Sequence, residues 1–130
     1  MMSAIQPPDL APPRGYSHGM LAPPGGRLLF VAGQIGWDRQ GRLAVGFANQ
    51  FAQALGNVLS VLREAGGRPE NVARMTLYVV DKQEYLAARK EVGNIYRQLM
   101  GRHYPAMALL EVKDLLEPGA RVEIEATAVL

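Results

Sequence analysis

No cysteine occurs in the 130 residues. Disulfides, thiolate nucleophiles and cysteine-ligated metals are therefore excluded. Histidine is almost as scarce: His18 and His103 stand alone, without the ligand spacing of a zinc site. Lysine and arginine are scattered, and the formal net charge is only +2. No run of them is dense enough to displace counterions from a phosphate backbone, so no nucleic-acid partner is expected. Apolar runs are short, residues 28–32 being typical, so no segment spans a bilayer and no membrane partner is expected. The first thirteen residues carry four prolines and no basic cluster, unlike a secretory signal. The expected location is the cytoplasm. Glycines are plentiful, but neither GxGxxG nor GxxxxGK[ST] occurs, which excludes a phosphate loop.

What is present suits one domain. The length fits a single core, and 48% of the residues are apolar. Residues 1–14 form a Pro-rich arm (Pro7, Pro8, Pro12, Pro13) that cannot be helical, because proline fixes φ and lacks a donor. It fits either a mobile tail or a strap across a neighbouring subunit. Residues 15–130 form the domain itself. Strands are predicted over 16–21, 27–34, 42–45, 72–80, 106–112 and 121–130. Helices are predicted over 47–65 and 82–100. In the first helix Phe47, Phe51, Leu55, Val58, Leu59 and Leu62 recur at three- and four-residue spacing, one apolar stripe. Gly66-Gly67 stops it. Asp81 and Glu84 have the spacing of a capping box for the second helix. The expected fold is α+β, a mixed six-stranded sheet with two helices on one face.

The second face of that sheet needs a cover. Residues 28–31 and 108–110 are apolar at both parities. No element is left over, so the cover is expected to be another copy of the chain. On the last strand Val122, Ile124, Ala126 and Ala128 alternate with Glu123, Glu125 and Thr127. Both carboxylates thus share a face, about 7 Å apart by strand rise. For Glu125 a solvated or ion-paired role is expected. Gly33 ends the second strand, where a glycine permits close approach of another strand or a ligand. His18 reads as a polar strand residue and Trp37 as a turn residue packed at an interface. Tyr104 fits the core and a pocket wall equally well.

Taken in order, several segments resemble the RidA/YjgF family, also called the reactive-intermediate deaminases. Gly15-Tyr16-Ser17-His18-Gly19 resembles its early "PYS" segment, and Phe30-Val31-Ala32-Gly33-Gln34-Ile35 resembles "FVSGQI". Glu64-Ala65-Gly66-Gly67 resembles "EAAGA", and residues 76–81 resemble "TVFLKD". Tyr104-Pro105-Ala106 resembles "FPA", and Val122-Glu123-Ile124-Glu125-Ala126 resembles "VEIEA". The resemblance implies a RidA-like (chorismate mutase-like) fold in a homotrimer, with the sheets forming a central barrel and a small-molecule cleft at each subunit interface. It implies no metal and no other cofactor. It implies hydrolysis of imines and enamines, with a glutamate positioning water, a tyrosine and backbone groups lining the cleft, and an arginine holding the substrate carboxylate.

Carried over by position, the water-positioning glutamate is Glu123 and the tyrosine is Tyr16. The backbone contacts fall at Gly33 and Leu109. The arginine falls on Met107, in Pro105-Ala106-Met107-Ala108, which has neither charge nor strong donor. Ala32 replaces the family's serine, and Gly93 stands where an asparagine is common. With Leu109 and Ala32, Met107 points to a less acidic, more apolar ligand than a simple α-imino acid. Two function classes follow: a hydrolase of a C=N bond in such a metabolite, or a binding or regulatory protein without turnover on the same scaffold. RNA cleavage fits poorly, because the chain lacks a basic patch and a catalytic histidine pair. The chain should be a trimer in dilute solution. Sedimentation equilibrium at micromolar concentration checks this, and a stable monomer would sink both the covered-face expectation and an interface site.

Overall fold

The computed structural model describes residues 2–130. Its main sheet has four strands in the order β3-β6-β4-β5: β3 (Leu28–Ile35), β6 (Val122–Val129), β4 (Val72–Val79) and β5 (Ala106–Glu111). Strand β6 runs antiparallel to both neighbours, whereas β4 and β5 are parallel. The parallel pair needs a crossover, supplied by helices α2 (Lys82–Ala87) and α3 (Arg89–Met100). Helix α1 (Phe47–Glu64) joins β3 to β4.

The six-stranded expectation is corrected to four strands plus a separate two-stranded ribbon. The ribbon pairs β1 (Ser3–Ile5) with β2 (Gly19–Leu21). The Pro-rich arm turns at Pro7–Leu10, where Leu10 N–H donates to Pro7 O, and its first residues lie along the chain's own second strand. The backbone N–H of His18 donates to Gln6 Oε1, and its ring nitrogen bonds the Ala11 carbonyl at 2.7 Å. His18 therefore ties the arm down rather than lying within a strand. Residues 42–45 form no strand either, only a bridge between Leu43 and Trp37. Asp38 closes that turn by accepting from the backbone N–H groups of Gln40 and Arg42. The hydrogen bond from Arg42 is the main reason its carboxyl sits below the ordinary aspartate value.

Helix α1 follows its stripe: Phe51, Leu55, Val58, Leu59 and Leu62 are buried against the sheet. It ends where Gly66 takes a positive φ of 86°, with Gly66 N–H donating to Arg63 O and Gly67 N–H to Leu62 O. The expected single second helix is broken at Ala88, whose backbone (φ −100°, ψ 8°) separates α2 from α3. Asp81 does cap α2, accepting from Gln83 N–H at 2.9 Å. The reciprocal half of the capping box is absent, because the Glu84 carboxylate is drawn to Arg121 at 2.6 Å. Val92, Tyr96 and Met100 bring α3 into the same core as α1, on one face of the sheet.

Two amides, buried Gln50 and half-buried Asn57, hold the sheet ends. Gln50 Nε2 donates to Gly119 O, and its Oε1 accepts from Arg121 N–H at 2.8 Å, which anchors the start of β6. Asn57 donates to the carbonyls of Ile35 and Trp37 and anchors the end of β3. The open face is polar along its centre (Arg74, Thr76, Tyr78, Glu123, Glu125) and apolar at its edges, where Leu28 is 61% and Phe30 73% exposed. The core carries the stability. Leu55→Ala, at a fully buried position, should lower unfolding free energy by about 2–5 kcal/mol through lost transfer energy and a cavity. Leu116→Ala, at a 99% exposed position, should change it by less than about 0.5 kcal/mol. Urea melts of the two variants check this.

Candidate functional site

Between α3, β5 and the segment after the arm runs a groove of about 500 Å³. The Ser17 backbone builds one side of it. Ser17 N–H donates to Pro105 O at 3.0 Å and its hydroxyl donates to Tyr104 O at 2.5 Å. This pins residues 15–17 alongside the start of β5, which carries Tyr16 to Met107 and Leu109. Three of the five candidate residues thus meet in one groove. Met107 and Leu109 register with Met75 and Leu77 of β4, so they point to the helix side and form an apolar floor.

Tyr104, which fitted core and pocket wall equally, is both. Its ring stacks on Tyr96 (centroids 5.2 Å apart, planes 12° apart) and faces the groove. The Tyr96 hydroxyl donates to the His103 carbonyl at 2.6 Å. Burial, with the neighbouring Tyr104, pushes the Tyr96 phenol well above the ordinary tyrosine value, so it stays a neutral donor. Trp37 lies away from the groove, at the turn bridged to Leu43.

Glu123 and Gly33 form a second constellation on the other face. Strand β3 bulges between Val31 and Gln34, which leaves Ala32 and Gly33 out of the regular ladder. The Glu123 carboxylate lies over Gly33, and a Cβ on Gly33 would overlap it. The glycine therefore accommodates the carboxylate. Glu123 registers with Tyr78 on the open face, whereas Met107 and Leu109 face the helices. One chain does not bring all five candidates together. Glu125, expected to be solvated or in an interface salt bridge, accepts a hydrogen bond from the Tyr78 hydroxyl at 2.5 Å.

Residue-by-residue reading passed over three arginines. Arg14, Arg89 and Arg97 line the groove. Arg121, near Met107 in sequence, is instead held by Glu84. The available signal was the four-residue spacing of Arg89, Gly93 and Arg97, which aligns them on one helix row. Among the described residues, no three His, Cys, Asp or Glu side chains gather in a metal-binding cluster, and no helix is long and apolar enough to cross a membrane.

Comparison with known proteins extends this geometry. The sequence profile of the family described as Endoribonuclease L-PSP matches residues 7–130. The chain is 34% identical over 116 residues to the human 2-iminobutanoate/2-iminopropanoate deaminase, covering 88% of this chain and 79% of that protein. The crystal structure of YyfB from Yersinia pestis, described as of unknown function in the conserved Rid protein family, superposes with a TM-score of 0.86 at 36% identity. That match covers 99% of this chain and 98% of YyfB. Rv2704 from Mycobacterium tuberculosis, described as a member of the YjgF/YER057c/UK114 family, gives a TM-score of 0.65 at 33% identity, over 89% and 87% of the two chains.

The Tyr78–Glu125 pair has a measurable consequence. The hydrogen bond to the Glu125 carboxylate raises the Tyr78 phenol above its ordinary value of 10.0. A raised folded value favours the protonated phenol in the native state. Its contribution to stability is full below the unfolded tyrosine value and is lost as pH rises through the folded one. In a pH titration followed by tyrosine NMR, Tyr78 should titrate above a free tyrosine. Glu125→Gln should return it toward 10.0; an unchanged titration would show that the pair does not control it.

Proposed function

We infer the function of this chain from its family: it belongs to the Endoribonuclease L-PSP family, also called RidA/YjgF. The proposed activity is hydrolysis of a C=N bond in a small, relatively apolar metabolite, at a cleft between the subunits of a homotrimer. The observation that carries it is the groove in which Tyr16 and Leu109 surround Met107, where the family resemblance expects a carboxylate-binding arginine. A thioether cannot replace the charge-assisted fork of a guanidinium. Such bonds contribute about 1.5–3 kcal/mol each, so a simple α-imino acid loses its main handle here. The substrate class named for the human relative is therefore not the one proposed for this chain.

Glu123 supplies the base. It takes a proton from water as the oxygen adds to the C=N carbon and passes that proton to the nitrogen. Glu123 then moves the carbinolamine hydroxyl proton to the nitrogen, the C–N bond breaks, and ammonia leaves a carbonyl behind. Glu123 and the groove lie on different faces of one sheet, so a complete site draws them from two copies. The exposed apolar edges of the open face, Leu28 and Phe30 on β3 and Leu110 on β5, support that assembly. The same separation favours a second reading. A single chain holds a ligand groove without a base in it, which suits a binding protein without turnover.

Imines generated in situ by an amine oxidase and by an amino-acid oxidase test the two readings. Ammonia release should be faster than the spontaneous rate for the former and near it for aminoacrylate and other small α-imino acids. Glu123→Gln should cut the catalysed rate by about 100-fold or more while thermal unfolding stays unchanged. Met107→Arg should raise turnover of the α-imino acids. No acceleration with any imine favours the binding protein; full activity in Glu123→Gln removes Glu123 from the mechanism.

A further inference from the structure

Arg14, Arg89 and Arg97 line the groove, and no aspartate or glutamate does. The ion pairs among the described residues are Arg42–Asp38 and Arg121–Glu84. All three groove guanidinium groups thus lack a carboxylate partner among those residues. They are exposed, so leaving them unpaired incurs no burial penalty, but like charges around one concavity build up a positive potential that an anion relieves.

The helix row shows how the charges are arranged. Arg89, Gly93 and Arg97 follow one another at four-residue spacing on α3. Gly93 leaves a notch between the two arginines. Glycine weakens a helix interior relative to alanine, and crowding does not require it here. A Cβ at Gly93 would meet only Arg97 Nη1, at an ordinary 3.5 Å. Helical side chains tilt toward the N-terminus, and the Arg97 guanidinium accordingly lies back beside the notch. Asn94 Oδ1 accepts from Arg97 Nη2 at 2.5 Å and holds it there. Below the row lies an apolar floor of Met75, Leu77, Met107 and Leu109, and tyrosines form the walls.

We propose that Arg14, Arg89 and Arg97 form an anion-binding rim around the Gly93 notch. It takes a carboxylate or phosphate separated by an apolar spacer from the part of the ligand lying on Met107 and Leu109. This deepens the proposed function, on whose groove it rests, by naming a remote acid as part of the substrate class. The Arg97 guanidinium beside the notch, with Arg89 and Arg14 on the same groove, offers forked donors that suit a planar or tetrahedral oxyanion. The floor, with no donor at Met107, takes only the apolar portion.

Isothermal titration calorimetry with three probes tests it: phenylbutyrate, phenyl phosphate and the uncharged phenylbutanol. At least one acid should bind about tenfold or more tighter than the alcohol, with an affinity that falls as salt rises. The tighter acid identifies the oxyanion. The Arg89→Gln, Arg97→Gln double variant should lose that preference and keep the alcohol's affinity. Gly93→Leu should raise the melting temperature, because the helix gains a better former, while weakening the acid. Equal binding of acids and alcohol, or acid binding unchanged in the double variant or in Gly93→Leu, overturns the rim. The readout needs no turnover. A chain that binds the acid through these arginines yet hydrolyses no imine sinks the hydrolytic reading and leaves the rim standing. An imine hydrolase whose acid binding ignores the double variant does the reverse.

Discussion

Strand β6 is hydrogen-bonded along both edges, so its alternation sets the faces of the whole sheet. Val122, Ile124, Ala126 and Ala128 pack under the helices, and Glu123, Glu125 and Thr127 take the open face. A slip of one residue would exchange the two sets and drive two carboxylates into the core. Burying an unpaired charge is costly enough that the register is effectively unique. That register puts Glu123 over the bulged Gly33 and Glu125 against the Tyr78 hydroxyl. Gln50 reinforces it by bonding the segment that leads into β6 twice, at Gly119 and Arg121.

The groove depends on a different set of bonds. It lies on the edge strand β5, where the Ser17 tether brings the N-terminal segment against Tyr104 and Pro105. The ribbon of β1 and β2 and the His18 contacts to Gln6 and Ala11 support that segment from behind. A ligand in the groove would meet a sulfur and aliphatic floor, stacked tyrosines on one wall and guanidinium groups at the rim. Charge therefore enters from the margin and not from the floor. That distribution separates the part of a ligand that is held by packing from the part that is held by charge.

Much of this was legible along the chain. The α1 stripe, the glycine stop after it, the β6 alternation and the order of the main elements follow from local periodicity and turn chemistry, which depend on neighbours three or four residues away at most. The strand count was not legible. Residues 42–45 make only the Leu43–Trp37 bridge, because Asp38 accepts from the Gln40 and Arg42 N–H groups and holds the segment as a turn. The arm gave no apolar pattern, and its pairing with β2 rests on backbone groups that any sequence supplies. The loss of the capping box follows from Arg121, nearly forty residues away, claiming Glu84, and the break at Ala88 had no glycine or proline to announce it.

The candidate site divides in the same way. Tyr16, Gly33, Met107, Leu109 and Glu123 could be picked out from segments that resemble a family, and the apolar character of Met107 is a property of the residue itself. Sequence by itself determined the α+β class, the single core, the two carboxylates on one strand face and the uncharged side chain of Met107. Only the tertiary structure decided that Tyr16 joins Met107 while Glu123 lies across the sheet, and that Arg14, Arg89 and Arg97 converge on one groove. Those relations join residues far apart in the chain, through strand register and packing that no local pattern encodes.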